Sequence, residues 1–146
     1  MGYEGYGSRL ETSAWVEAVR YTALGKHLNV GYPRGGKVTV KPSTGKGRGV
    51  FAEVFIPVHS VIEVAPVIPI PASDAAARSA VLDEYKLAWG KQEAIGLGFA
   101  SMYNHSDKPN AERVDVLGQT AVAYIALRDI GAGEEITVTY RCKPWW

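Results

Sequence analysis

A single cysteine, Cys142, occurs in 146 residues. One thiol cannot close an internal disulfide, and zinc sites built on several cysteines are excluded with it. A reducing, intracellular setting (cytoplasm or a nucleus) is therefore expected rather than secretion. Histidine is scarce as well, with only His27, His59 and His105. No apolar run approaches the roughly 20 residues of a membrane helix, and residues 1–7 lack the apolar stretch of a leader peptide. Gly2 is followed by a serine only at Ser8, which misses the myristoylation pattern. An excess of one charge is missing too: 16 Lys and Arg face 15 Asp and Glu, with no block of like sign. Nucleic-acid binders ordinarily carry a basic face, so neither a membrane nor a nucleic acid is the expected partner. With 47% hydrophobic residues the chain has enough apolar side chains for one core.

What is present is organised as many short segments. Residues 1–7 are rich in Gly and Tyr and expected to be poorly ordered. Residues 11–24 read as a helix, capped by Thr12 or Ser13, with Trp15 and Val19 on one face and Gly25 as its stop. Residues 31–36 look like a linker. Residues 37–41 alternate with the period of a half-buried strand, and residues 50–54 and 61–70 are rich in β-branched residues. Pro66, Pro69 and Pro71 are expected to put the end of the last of these at a sheet edge. A second helix is expected over residues 75–89, capped by Ser73 or Asp74 and ended by Gly90. Residues 93–99 read as a short strand, residues 111–115 and 120–126 as a hairpin turning at Leu117-Gly118, and residues 135–140 as the last strand. Strands so clustered do not form alternating βαβ units, so a mainly β fold with short helices is expected, without a doubly wound parallel sheet.

Three segments hold the candidate chemistry. Lys46-Gly47-Arg48-Gly49 lies between two expected strands. Its glycines would let backbone N–H groups approach an anion, or would simply make a tight hairpin. It is neither a Walker loop, lacking Gly-Lys-Ser/Thr, nor a dinucleotide fingerprint, since Val50 stands where a third glycine is needed. Tyr103-Asn104-His105-Ser106-Asp107-Lys108-Pro109-Asn110 is unusual before a strand. His105 and Asp107 open a His-x-Asp iron pattern, but no histidine follows downstream. Ser106 next to His105 is poorly placed for triad geometry, because adjacent residues rarely face each other. A polar turn tied by Asn104 and Asn110 is the plain alternative. The third segment, Gly133-Glu134-Glu135-Ile136-Thr137-Val138-Thr139-Tyr140, alternates polar and apolar residues. Glu134 and Glu135 would point to opposite faces of a strand, so they are read as structural rather than as a hydrolytic pair.

Taken together and in this order, the three segments resemble the signature of SET-domain protein lysine methyltransferases of the compact, single-domain type, over residues 37–140. The resemblance implies a β-clip-like fold of small sheets with a knot-like C-terminal core. It implies residues 37–146 as the SET domain with a short aromatic tail, leaving residues 1–36 outside it as an extension with the one helix expected there. It implies S-adenosylmethionine as cofactor, contacted by Lys46, Gly47, Arg48 and Gly49 and by Tyr103, Asn104 and His105. Tyr140 would be the catalytic tyrosine, Trp145 or Trp146 would wall the cofactor, and Tyr85 would border the substrate channel. The substrate would be a protein or peptide lysine, with histone tails as the family's usual target, and the N-terminal helix with Trp15 suggests a homodimer. A non-catalytic module binding the cofactor or a peptide is the alternative. No metal is implied, because the zinc-bound cysteines of larger members have no counterpart.

The chain departs from the family's pattern at named places. Pro57-Val58-His59-Ser60 stands where Gly-Glu is common, and Val64-Ala65-Pro66-Val67 lacks the tyrosine that usually lines the channel. Val138, two residues before Tyr140, gives no reading of how many methyl groups are added. Arg113 falls where other members place a channel residue.

Overall fold

Extended, β-branched segments dominate the computed structural model, which describes residues 38–74 and 79–140. In chain order the strands are β1 (Val38–Ser43), β2 (Gly47–Ala52), β3 (Val61–Ile70), β4 (Lys86–Trp89) and β5 (Gln92–Gly96). They continue with β6 (Asn104–His105), β7 (Ala111–Val116), β8 (Ala121–Ala126) and β9 (Glu135–Val138). Short 3-10 turns cover Ala72–Asp74, Leu82–Tyr85 and Leu117–Gln119. The expected first helix and linker, and Trp145 in the C-terminal tail, lie outside the described residues.

Two sheets result. One has the order β1-β2-β9-β6, the other β4-β5-β3-β8-β7. Among the described residues all strand pairings are antiparallel but one: β6 runs parallel to β9, with Asn104 opposite Thr137 and His105 opposite Val138. This parallel pairing lays the last described stretch of chain alongside the Asn-His segment. Val38, Val50, Ala52 and Ile136 from the first sheet and Ile62, Val67, Val122 and Tyr124 from the second belong to one buried cluster, so the sheets share a core. Every residue of β8 is buried, as expected for a strand whose run Ala121-Val122-Ala123-Tyr124-Ile125-Ala126 has no polar face. Burying each larger aliphatic side chain here is worth about 1.5–3 kcal/mol.

The β7–β8 hairpin forms as its sequence indicates, closing through the Leu117–Gln119 turn. The prolines of β3 have a clear role. Residues Val61 to Pro66 pair with β8 and residues Val67 to Ile70 with β5, so the strand changes partner where Pro66 interrupts its donors. The expected second helix is corrected: residues 75–78 lie outside the described set, Leu82–Tyr85 is a single 3-10 turn, and Lys86–Trp89 is a strand. Leu87 and Ala88 favour helix, but backbone pairing with β5 and the Trp89 indole N–H bond to Ala121 O (3.0 Å) hold the segment extended. The last strand ends at Val138, so Tyr140 stands just beyond it.

Candidate active site

The β1–β2 hairpin is tight, with Lys46 N–H donating to Ser43 O at 3.1 Å. It is also more than a turn. Lys46 Nζ reaches across to His105 O at 2.6 Å, and Asn104 Nδ2 donates back to Arg48 O at 3.0 Å. Asn104 Nδ2 also donates to Glu135 Oε1 (2.8 Å), whose other oxygen accepts from Ser43 Oγ (3.0 Å). Gly49 permits this convergence: a Cβ built there would collide with the Glu135 carboxylate and lie 2.8 Å from Asn104 Nδ2. Asn110, 2% exposed, fixes the next layer, accepting from Thr137 N and donating to Glu135 O, both at 2.8 Å. Glu134, the neighbour of Glu135, turns to Arg128 and meets this cluster only through Asn110 Nδ2, 3.3 Å from its Oε1.

Tyr140 N–H donates to His105 Nδ1 at 3.0 Å, so the ring proton sits on Nε2, where it is donated to Asp107 Oδ1 at 3.1 Å. Both imidazole nitrogens are thus engaged within the protein. Ser106 Oγ accepts from Lys108 N (3.1 Å), as in the polar-turn reading. The Tyr140 hydroxyl donates to Tyr103 O at 2.8 Å, and its ring lies 5.3 Å from that of His105. With its proton committed to a carbonyl, that hydroxyl can meet a ligand only as an acceptor.

Two cavities adjoin at Tyr140. The larger, about 1100 Å³, is bordered by Lys46, Gly47, Arg48, Asn104 and His105. The smaller, about 40 Å³, is walled by Tyr85, Tyr103, Tyr124 and Tyr140, with Leu87 and Val138. Tyr85 borders both, from the end of a 3-10 turn rather than from a helix. Gly49 does not line the large cavity, and Tyr103, 2% exposed, lines the narrow one instead. Although β3 lacks the expected tyrosine, the narrow cavity is still aromatic on several sides. Arg113 also borders it; the buried guanidinium donates to Ala88 O (2.6 Å) and lies 3.7 Å from Asp115.

Burial pushes the Tyr103 and Tyr124 phenols well above their ordinary value. Their rings stack at 3.9 Å, and Tyr124 Oη donates to Ala100 O at 2.5 Å. Below them Glu63, 6% exposed, accepts from Tyr103 Oη at 2.7 Å and from Phe99 N at 2.9 Å. Desolvation raises its carboxyl pKa, although both hydrogen bonds act the other way. Neither Glu63 nor Tyr124 was singled out from the sequence. The signal was present for Glu63, a single acid inside Val61-Ile62-Glu63-Val64-Ala65, because a buried carboxylate needs partners.

A fold of two small curled sheets whose glycine hairpin, Asn-His segment and terminal tyrosine meet around adjoining cavities is that of SET-domain proteins. The SET-domain family model matches residues 47–141, and the chain belongs to this family. It is 31% identical over 110 residues to a Schizosaccharomyces pombe histone-lysine N-methyltransferase specific for H3 lysine-37, spanning 73% of this chain and 75% of that protein. The crystal structure of a Plasmodium falciparum protein assigned as a histone methyltransferase superposes with a TM-score of 0.59 at 25% identity, covering 75% of this chain and 96% of that one.

Proposed function

We propose that this chain transfers a methyl group from S-adenosylmethionine to a lysine side chain of a protein. The observation that carries this reading is the meeting, at Tyr140, of a cofactor-sized cavity with a narrow tyrosine-walled one. The larger space suits a nucleoside-sized ligand, and its borders fit the parts of this one. Lys46 and Arg48 supply cations for a carboxylate, and the Asn104–His105 segment, held by its own hydrogen bonds, borders the space the adenine and the amino group would occupy. When bound, S-adenosylmethionine supplies a methyl group on a positively charged sulfur, open to in-line attack.

The remaining work falls to the protein. Lysine attacks only as a neutral amine, yet its ordinary pKa is about 10.4. A cavity walled by Tyr85, Tyr103, Tyr124 and Tyr140 strips water from the ammonium and lowers that value. The same aromatic faces tolerate the cation as it passes. Confinement aligns the amine with the methyl carbon and converts an encounter into a near-attack arrangement. The Tyr140 hydroxyl, its proton held by Tyr103 O, offers lone pairs to the amine and to polarised methyl C–H bonds. Transfer needs neither a metal nor a covalent enzyme intermediate.

The Schizosaccharomyces pombe relative makes histone H3 the first substrate to try. Such a substrate would place the enzyme with chromatin. The test uses labelled S-adenosylmethionine with H3 and H4 peptides and with whole histones. Label should appear on lysine, and Tyr140→Phe should slow transfer by about 100-fold, the cost typical of losing alignment at a reacting centre. A Tyr140→Phe rate equal to wild type would overturn the catalytic role of the hydroxyl. Saturable cofactor binding without label transfer would replace the enzyme reading with that of a binding module.

A further inference from the structure

We propose that Glu63, buried beneath the narrow cavity, is a positioning residue for methyl transfer. It holds the hydroxyls of Tyr140 and Tyr124 in place through the turn at residues 99–103. The proposal rests on the methyltransferase reading above.

Geometry carries it. Two of the four tyrosines that wall the narrow cavity donate to carbonyls of a single turn: Tyr140 to Tyr103 O at 2.8 Å, Tyr124 to Ala100 O at 2.5 Å. That turn is clamped at its two ends by one carboxylate, since Glu63 Oε1 accepts from Phe99 N and Oε2 accepts from Tyr103 Oη. The Tyr103 ring, pinned through its hydroxyl, also stacks on Tyr124 at 3.9 Å with planes 17° apart, which ties the two tyrosines to the same anchor. Gly98 belongs to the device. Its φ of +61° shapes the turn, and a Cβ there would lie 2.6 Å from Glu63 Oε1, so a larger residue would drive the carboxylate out.

Chemistry points the same way. An acid within an otherwise apolar strand, 6% exposed, is costly to bury unless hydrogen bonds satisfy it. A hydrophobic residue of similar size would fill the space without that cost, so packing alone does not account for a carboxylate here. A carboxylate accepting two directed hydrogen bonds fixes the turn's angle, whereas an aliphatic side chain would only fill the volume beneath it. Small displacements matter at this distance from reaction, because a shift of about 1 Å at a reacting centre can cost on the order of 100-fold in rate.

The experiment compares wild type, Glu63→Gln and Tyr103→Phe, with and without labelled donor. In Glu63→Gln, kcat should fall by about tenfold or more while peptide KM and the S-adenosylhomocysteine Kd stay within about twofold, as for loss of an interaction needed only in the transition state. Tyr103→Phe keeps the carbonyl that holds Tyr140 and removes only the clamp's hydroxyl. It should lower kcat in the same direction, and the double variant should be no slower than the worse single one, because both act through one link. In the ligand-free protein carrying 13C-labelled tyrosine, the Cζ resonances of Tyr140 and Tyr124 should shift in both variants. Unchanged kcat with unchanged resonances in Glu63→Gln overturns the proposal, as do additive losses in the double variant. Should Glu63→Gln not fold, Tyr103→Phe decides on the same readouts. If wild type itself transfers no label, the methyltransferase reading is lost, while the tyrosine resonances still judge the clamp.

Discussion

Glu63 and Glu134 give the protein opposite responses to pH, each traceable to its surroundings. Glu63 is raised by desolvation, so the folded state binds its proton more tightly than the unfolded chain does. Its contribution is fully present below the ordinary glutamate value of about 4.3 and is lost as pH rises through the folded pKa. Glu134, hydrogen-bonded by Arg128, Gly131 N and Asn110, is pushed down to about 2. Its contribution is present above the ordinary value and is lost as pH falls towards 2. The titratable groups facing Glu63, Tyr103 and behind it Tyr124, are both pushed upward and stay protonated across this range. Melting curves from pH 2 to 8 should therefore show a decline above about 4.3 that Glu63→Gln abolishes. They should show an acid-side loss that Glu134→Gln reduces. A Glu63→Gln profile parallel to wild type above that pH would show that the buried acid is not shifted. A charged residue in an apolar strand is legible as buried and partnered, but the identity of Tyr103 and Phe99 as partners is not, because they lie 40 and 36 residues away.

At the level of elements, the glycine hairpin illustrates both what sequence conveys and where it stops. Hairpin and close approach were readable from Lys46-Gly47-Arg48-Gly49. That Gly49, rather than a glycine at the turn, is the position where a side chain would collide emerges only with Asn104 and Glu135 in place. In Gly49→Ala, Asn104 must part from Glu135 or from Arg48 O. Binding of S-adenosylhomocysteine should weaken by about tenfold, or ~1.4 kcal/mol, in calorimetry. Unaltered affinity would mean that the Asn104–Glu135 contact does not shape the cofactor site. The strand at Lys86–Trp89 marks the opposite case. Tyr85-Lys86-Leu87-Ala88-Trp89 suits either a helix face or an alternating strand, and local pattern does not separate them over so short a run. Pairing with β5, which is not local information, decides it.

Across the whole molecule, the clustered short strands anticipated a mainly β fold, and the resemblance of the three motifs to the SET-domain signature supplied the particular fold. Their convergence rests on the parallel β6–β9 pairing, which brings Tyr140 against His105 and Tyr103. No periodicity along the chain encodes a parallel pairing between strands thirty residues apart. Nor does it show that Tyr124 from β8 and Tyr85 from a 3-10 turn complete the wall left without a β3 tyrosine. The most direct check is a crystal structure of the protein with S-adenosylhomocysteine and a lysine-containing H3 peptide. The sulfur should lie in the large cavity beside Tyr140, and the lysine should enter between Tyr85, Tyr103 and Tyr124 with its amine directed at that sulfur. A cofactor product bound away from the Lys46–His105 face, or a lysine kept out of the tyrosine-walled cavity, would contradict the proposed function.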